Sequence, residues 1–195
     1  MSGDVQVRIC EHLRGRFPWV TRLVICCSGR ADEAMEVMRS MMAKLKLTVN
    51  DEKTHLCSLP QDRFDFLGYT FGRCYSRQTG KAYLGTRPSR KSIKRMRERI
   101  TEETDRSRTL LEAEVVVGRL NRKLIGRANY FCLGPVSPAY QMINAHATHR
   151  LRRWLCSKHK VQGKGVGRYP NQYLYEKLGL VNLPKRTHDL PWAKA

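Results

Sequence analysis

The sequence lacks the patterns of secreted, membrane-spanning and zinc-ribbon proteins. Its seven cysteines include no C-x-x-C spacing, and their odd number does not suit a framework of paired disulfides. No apolar run approaches the roughly 20 residues that a membrane-spanning helix needs. The first residues also lack the basic and apolar regions of a signal peptide. These absences predict a cytoplasmic protein with reduced cysteines and no membrane partner.

Acidic residues are also scarce, since none occurs between Val115 and Tyr175. Residues 1–72 hold ten Lys and Arg against nine Asp and Glu, whereas residues 73–168 hold 23 against six. Such one-sided charge costs self-repulsion unless a polyanion compensates it, and nucleic acid is the usual polyanion. An anionic membrane surface is the alternative, but it favours an amphipathic helix or a lipid anchor that the sequence does not clearly show.

Hydrophobic periodicity predicts short strands and a helix in the first third of the chain. The apolar run at residues 23–27 is typical of a buried strand, and Asp32 is expected to cap the helix that follows. Residues 54–59 can return as a strand. Residues 64–69 alternate large apolar with small or polar side chains, which predicts one half-buried strand leading into a hairpin across 78–81.

The remainder of the chain has helical periodicity. A first helix is expected to begin at Ser89, and a second to span residues 110–125, with Gly126 either ending or bending it. A third is expected to start near Pro138, and the glycine-rich, basic residues 162–168 indicate a loop. The complete pattern predicts an α+β fold.

Several segments, in this order along the chain, carry a family resemblance. Residues 47–54 (LTVNDEKT) resemble the motif G-L-x-L-N-x-E-K-T, and residues 64–69 (FDFLGY) resemble F-x-F-L-G-Y. Residues 120–131 (LNRKLIGRANYF) resemble L-N-x-x-L-x-G-W-x-N-Y-F, except that Arg127 replaces the usual Trp, which is expected to weaken one core contact. Together these segments resemble the group II intron reverse transcriptase/maturase family.

The resemblance implies a fold and a function. Residues 1–72 would be a truncated reverse-transcriptase palm, and residues 73–195 a basic, mostly helical thumb/maturase domain. A maturase binds structured group II intron RNA and assists its folding and splicing, so this RNA is the expected partner, with an RNA/DNA duplex as a further possible one. No cofactor is expected.

The polymerase motif is where the sequence departs from the family. Family members carry Y-A-D-D before the apolar strand, and its aspartates hold Mg²⁺. Here that place is taken by Trp19, Val20, Thr21 and Arg22, which lack the carboxylate oxygens that hard cations need. The fingers and first half of the palm are also missing from the sequence. We therefore expect no catalytic residue. The alternatives are half of a split polymerase completed by a partner chain, and a gene fragment without a function.

A metal site is not expected either. His146 with His149 and Cys156 with His159 have the spacing of ligand pairs. On one continuous helix, however, the two pairs would lie about 15 Å apart, too far to share one ion.

The basic residues expected to bind RNA fall into three groups: one on the helix after Ser89, one near the end of the third helix and one in the glycine-rich loop. They are Arg90, Lys91, Lys94, Arg95 and Arg97; Arg150, Arg153, Lys158 and Lys160; and Lys164 and Arg168.

Overall fold

The computed structural model describes residues 5–13, 21–76 and 78–186, with the side chains of 5–13, 21, 22 and 53 left undescribed. Antiparallel strands come first and helices follow, which confirms the expected α+β class. The strands are β1 (Val5–Leu13), β2 (Thr21–Ser28), β3 (Thr54–Leu59), β4 (Phe64–Phe66), β5 (Tyr69–Tyr75) and β6 (Ala82–Pro88). The helices are α1 (Ala31–Lys44), α2 (Arg90–Glu103), α3 (Ala113–Tyr130), α4 (Ser137–Lys158) and α5 (Leu183–Arg186).

The chain divides into two compact units. The sheet unit comprises residues up to 66 and residues 70–85, and the helical unit comprises residues 67–69 and the chain from 86 onward. The functional boundary expected after residue 72 stays a prediction. No helix of the described residues is long and apolar enough to cross a membrane.

The sheet unit contains two three-stranded sheets, in the orders β2-β1-β3 and β4-β5-β6. In the first, β1 lies between two antiparallel neighbours, with Val7 opposite both Cys26 and Cys57. Helix α1 turns Met35 and Met38 inward, where they pack with Leu23 and other apolar side chains of this unit. The strand and helix predicted from residues 23–45 are therefore confirmed. Among the described side chains, five cysteines are free thiols: Cys26, Cys57, Cys74, Cys132 and Cys156.

Two local expectations for the first third of the chain were wrong. Asp32 does not cap α1, because the helix already begins at Ala31 and Arg30 takes the cap position, where its side chain bonds to Glu33 and does not cap the helix. Residues 64–69 are not one strand, because Leu67 and Gly68 adopt positive φ angles of 49° and 83° and separate β4 from β5. At φ 83° a side chain would be strained, which explains the glycine.

The helical unit is built around α2, α3 and α4, which share one apolar core. Leu120, Leu124 and Tyr140 are fully buried in it. Helix α3 ends at Tyr130, so the alternative of an end at Gly126 was wrong; Ala128 continues the buried stripe beyond that glycine. The cost of about 1 kcal/mol for glycine inside a helix is outweighed by this packing. The expected start was also too early, because Leu110 lies 92% exposed ahead of the helix.

Two asparagines hold the C-terminal segment against the helices. Asn121 Nδ2 donates to the Gly179 carbonyl at 2.8 Å, and its Oδ1 accepts from the Val181 amide at 2.8 Å. On α4, Asn144 Nδ2 donates to the Tyr175 hydroxyl at 2.8 Å. The two Asn121 bonds satisfy backbone groups that lie outside the regular elements.

Candidate nucleic-acid interface

Helix α2 separates an apolar face from a strongly basic one. The Ser89 hydroxyl caps its first turn by accepting from the Ser92 amide at 3.2 Å. Met96 and Ile100 are 3% and 0% exposed and anchor the helix in the core. The predicted cations of the first group lie on the opposite face. All of them are exposed: Arg90, Lys91, Lys94, Arg95 and Arg97.

The helical repeat arranges these cations in two rows. At 3.6 residues per turn, Arg90, Lys94 and Arg97 follow one line along α2. Lys91 and Arg95 follow a second line. Among the described residues, these five cations make one ion pair with a carboxylate. It joins Lys94 Nζ to Glu98 at 3.9 Å. Positive charge on this face is therefore largely uncompensated within the protein.

Arg99 extends the second row and was missed by the sequence argument. It is exposed and lies four residues after Arg95, on the same line of the helix. The signal that could have found it is the i, i+4 spacing from Lys91 through Arg95.

Arg150 makes structural hydrogen bonds within the helical unit. Its Nη2 donates to the Thr101 and Thr104 carbonyls at 3.2 and 3.0 Å, and its Nε donates to the Thr104 hydroxyl at 3.1 Å. The last carbonyls of a helix have no partner within that helix, so Arg150 satisfies the end of α2. Its guanidinium is already occupied by these bonds.

Lys158 is occupied in the same way. Its Nζ donates to the Leu111 carbonyl at 2.8 Å and the Thr109 carbonyl at 3.3 Å, and it lies 3.9 Å from a carboxylate oxygen of Glu112. Its side chain is only 17% exposed. Lys158 therefore anchors the loop that precedes α3.

The remaining predicted cations are exposed. Arg153 and Lys160 lie at the end of α4, and Lys164 and Arg168 lie in the following loop. Close by, Arg152 Nε donates to the Tyr169 carbonyl at 2.8 Å and its Nη2 donates to the Asn171 side chain at 2.7 Å. This neighbouring arginine attaches the far end of the loop to α4.

Residues 93–171, which include most of α2 and all of α3 and α4, match the maturase-specific domain of group II introns. This match places a segment similar to a maturase-specific domain within the helical unit. No curated protein matches the chain.

A buried carboxylate at the end of α2 binds three other cations of the helical unit. Glu103 is 8% exposed, and its Oε1 accepts from Lys123 Nζ at 2.6 Å. Arg108 also donates to it, and Arg119 lies at 4.0 Å. Burial alone would raise the pKa of Glu103, but the hydrogen bond and charge of Lys123, with the two arginines, lower its pKa overall. Lys123, Arg108 and Arg119 therefore share Glu103 as their counter-charge inside the helical unit.

Arg127, the departure from the family motif, stacks on an aromatic ring. Its guanidinium carbon lies 3.8 Å from the centre of the Phe131 ring, and Nη1 donates to the Ser92 hydroxyl at 2.7 Å. Its Nε and Nη2 are buried and have no hydrogen-bond partner among the described residues. Burial lowers the pKa of Arg127 to about 10.

His146 links α4 to α2. Its Nε2 lies 3.0 Å from the Thr101 hydroxyl and 3.2 Å from the Arg97 carbonyl. Burial, followed by the positive charge of Arg97, lowers the pKa of His146. No group of three or more His, Cys, Asp or Glu among the described residues is placed to hold a metal ion.

The segment that replaces the polymerase motif is only partly described. Thr21 and Arg22 begin β2, and Arg22 pairs through its backbone with Glu11 of β1. Trp19 and Val20 lie outside the described residues.

Proposed function

We propose that this protein is a maturase, which assists the folding and splicing of a group II intron by binding its RNA through the exposed face of α2. The match of residues 93–171 to a maturase-specific domain supports this role. The observation that carries the RNA site is the set of five exposed cations within residues 90–97, of which one has a carboxylate neighbour. Each phosphate that such a cation neutralises releases a condensed counterion.

Binding would help splicing by mass action. A protein that binds the folded RNA but not the unfolded RNA shifts the equilibrium toward the folded form. The RNA then carries out its own chemistry. Contacts to phosphates and 2′-hydroxyls suit this role, because the major groove of A-form RNA is too narrow for side chains to read. An RNA/DNA duplex is the competitor ligand to include in each assay.

The first test is the dependence of RNA binding on salt. Nine of the eleven predicted cations are exposed, the exceptions being Arg150 and Lys158. If six to eight phosphates are contacted, raising the salt from about 50 to about 200 mM should weaken binding by roughly a thousandfold or more. Fluorescence anisotropy with a labelled intron fragment measures this slope. A flat response would contradict an electrostatic site.

The second test places the site on α2. Replacing Lys94, Arg95 and Arg97 together by Gln should keep the helix, because Gln is nearly as good a helix former as Lys and Arg. Affinity should fall about uniformly across RNAs, and the salt slope should become shallower by roughly two to three units, about one for each lost phosphate contact.

The control replaces three exposed cations of the sheet unit, Lys46, Arg63 and Arg73, by Gln. It removes the same charge and should change affinity and salt slope little. If circular dichroism shows both variants folded and the control loses as much affinity as the α2 variant, the placement of the RNA site on α2 is wrong.

We further propose that the chain alone does not polymerise DNA, because Thr21 and Arg22 stand where the family has two aspartates. The purified chain should not extend a primer on an RNA template with Mg²⁺ or Mn²⁺. Extension that survives removal of contaminating polymerases would refute this. Extension that appears only when an aspartate-bearing partner chain is added would support a split enzyme instead.

A further inference from the structure

Helix α1 carries an apolar stripe that the sheet unit leaves uncovered. Val37, Met41 and Leu45 are 58%, 57% and 64% exposed. Their spacing of four residues places them on one face of the helix, with Leu45 as its C-terminal cap residue. Isolated exposed apolar residues are ordinary, but a contiguous row of large ones marks an interaction surface.

A groove of about 550 Å³ runs beside this stripe. Val37 and Met41 form one wall, and Leu23 and Ile25 of β2 contribute the other. Ala34, Met38 and Met42 also line the groove, together with the ion pair between Arg30 and Glu33. Methionine side chains adapt to irregular apolar surfaces, so the groove can accept side chains that protrude from a facing helix.

The charges along α1 indicate which helix faces it. The first half of α1 carries Asp32, Glu33 and Glu36 against one cation, the cap residue Arg30, which pairs with Glu33 at 2.7 Å; the end of the helix is basic, with Lys44 followed by Lys46. A second α1 running in the opposite direction would place each acidic half beside a basic end. A parallel copy would place like charges together. Antiparallel helices also align their dipoles favourably.

We propose that the chain forms a dimer through antiparallel packing of α1 on α1 of a second copy. In this arrangement Val37 faces Met41 of the partner subunit, and the stripe of each copy enters the groove of the other. The same register brings Glu33 beside Lys44 of the partner subunit. Because the contact is two-fold symmetric, each interaction occurs twice.

The test measures the mass of the nuclease-treated full chain by sedimentation equilibrium over a series of concentrations. The wild type should approach twice the monomer mass. Met41→Glu should weaken the dimer by on the order of a hundredfold, because each dimer would bury two unpaired carboxylates. Met142→Glu is the matched control, since Met142 on α4 is 52% exposed and lies outside the stripe. It should leave the dimer unchanged.

A charge exchange tests the direction of packing. Glu33→Lys and Lys44→Glu should each weaken the dimer, and the double variant should restore it, because the pair is then reversed on both sides. Failure of this rescue overturns the antiparallel register. A wild-type chain that stays monomeric at the highest concentration overturns the proposal and indicates that another protein or chain segment covers the stripe. So does a dimer that Met41→Glu leaves intact.

Discussion

Replacing Glu103 by Gln is expected to destabilise the helical unit by about 2–3 kcal/mol. The carboxylate is buried, and the substitution leaves Lys123, Arg108 and Arg119 without their shared counter-charge. Removing one member of a fully buried ion pair costs about 3–5 kcal/mol. Lys123, Arg108 and Arg119 are 32%, 33% and 40% exposed, so water screens part of the lost interaction. We therefore expect about 2–3 kcal/mol, below the range for a fully buried pair.

The pH dependence of this effect follows from the lowered pKa of Glu103. A carboxyl group whose pKa is lower in the folded state contributes stability above its unfolded pKa and loses it as the pH falls through the folded value. Near neutral pH, the free energy of unfolding of the wild type should therefore exceed that of the Gln variant by a constant amount. Below the ordinary Glu value of 4.5 the difference should shrink, because protonated Glu103 carries no more charge than Gln.

Urea unfolding at a series of pH values measures this difference as a shift in midpoint at unchanged slope. Glu102→Gln is the matched control, since Glu102 is the adjacent carboxylate on α2 and is exposed. It should change the free energy of unfolding by less than about 0.5 kcal/mol. Equal destabilisation by both variants, or a Glu103 effect that persists at low pH, would refute the assignment of Glu103 as the buried counter-charge.

Four further substitutions test the helical unit. Gly118→Ala and Gly126→Ala should each stabilise α3 by up to about 1 kcal/mol in thermal unfolding, because an added Cβ meets no atom within 4 Å; a loss of RNA affinity in either variant would show that RNA approaches this face. Asn121→Ala should cost about 1–3 kcal/mol and speed proteolysis of the C-terminal segment, because it removes two hydrogen bonds to that segment's backbone. Arg127→Met should raise the urea midpoint, since it removes a half-buried charge that has no carboxylate partner; a lowered midpoint would mean that stacking on Phe131 outweighs the desolvation.

The exposure of the α2 cations could be predicted from the sequence, because it depends on residues of the same helix. The cap at Ser89 and the stripe Ile93, Met96 and Ile100 set the helix and its orientation, so the cations between them had to point outward. The second group depended on distant partners. Arg150 bonds to carbonyls 46 and 49 residues away, and no pattern within α4 distinguishes it from the exposed Arg153.

The same reasoning explains the helix boundaries that the sequence misplaced. Glycine weakens an isolated helix, and this favoured an end at Gly126. The structure continues α3 because Ala128 and Phe131 are buried beyond it, and because the Tyr140 hydroxyl donates to the Ala128 and Phe131 carbonyls at 2.9 and 2.8 Å. These partners come from α4, so the extra turn of α3 depends on a tertiary contact and not on local propensity.

Arg127 shows how the fold accommodates a departure from its family motif. The family motif usually has Trp at this position, and its replacement by Arg127 was expected to weaken one core contact. The guanidinium is planar and lies over the Phe131 ring, so it retains a flat stacking surface, while the Ser92 hydroxyl accepts from one of its nitrogens. The remaining buried nitrogens have no acceptor, and the pKa is lowered to about 10 because the charge is poorly solvated. The guanidinium thus restores the stacking contact, but its charge is poorly solvated. An apolar side chain at this position should therefore stabilise the domain.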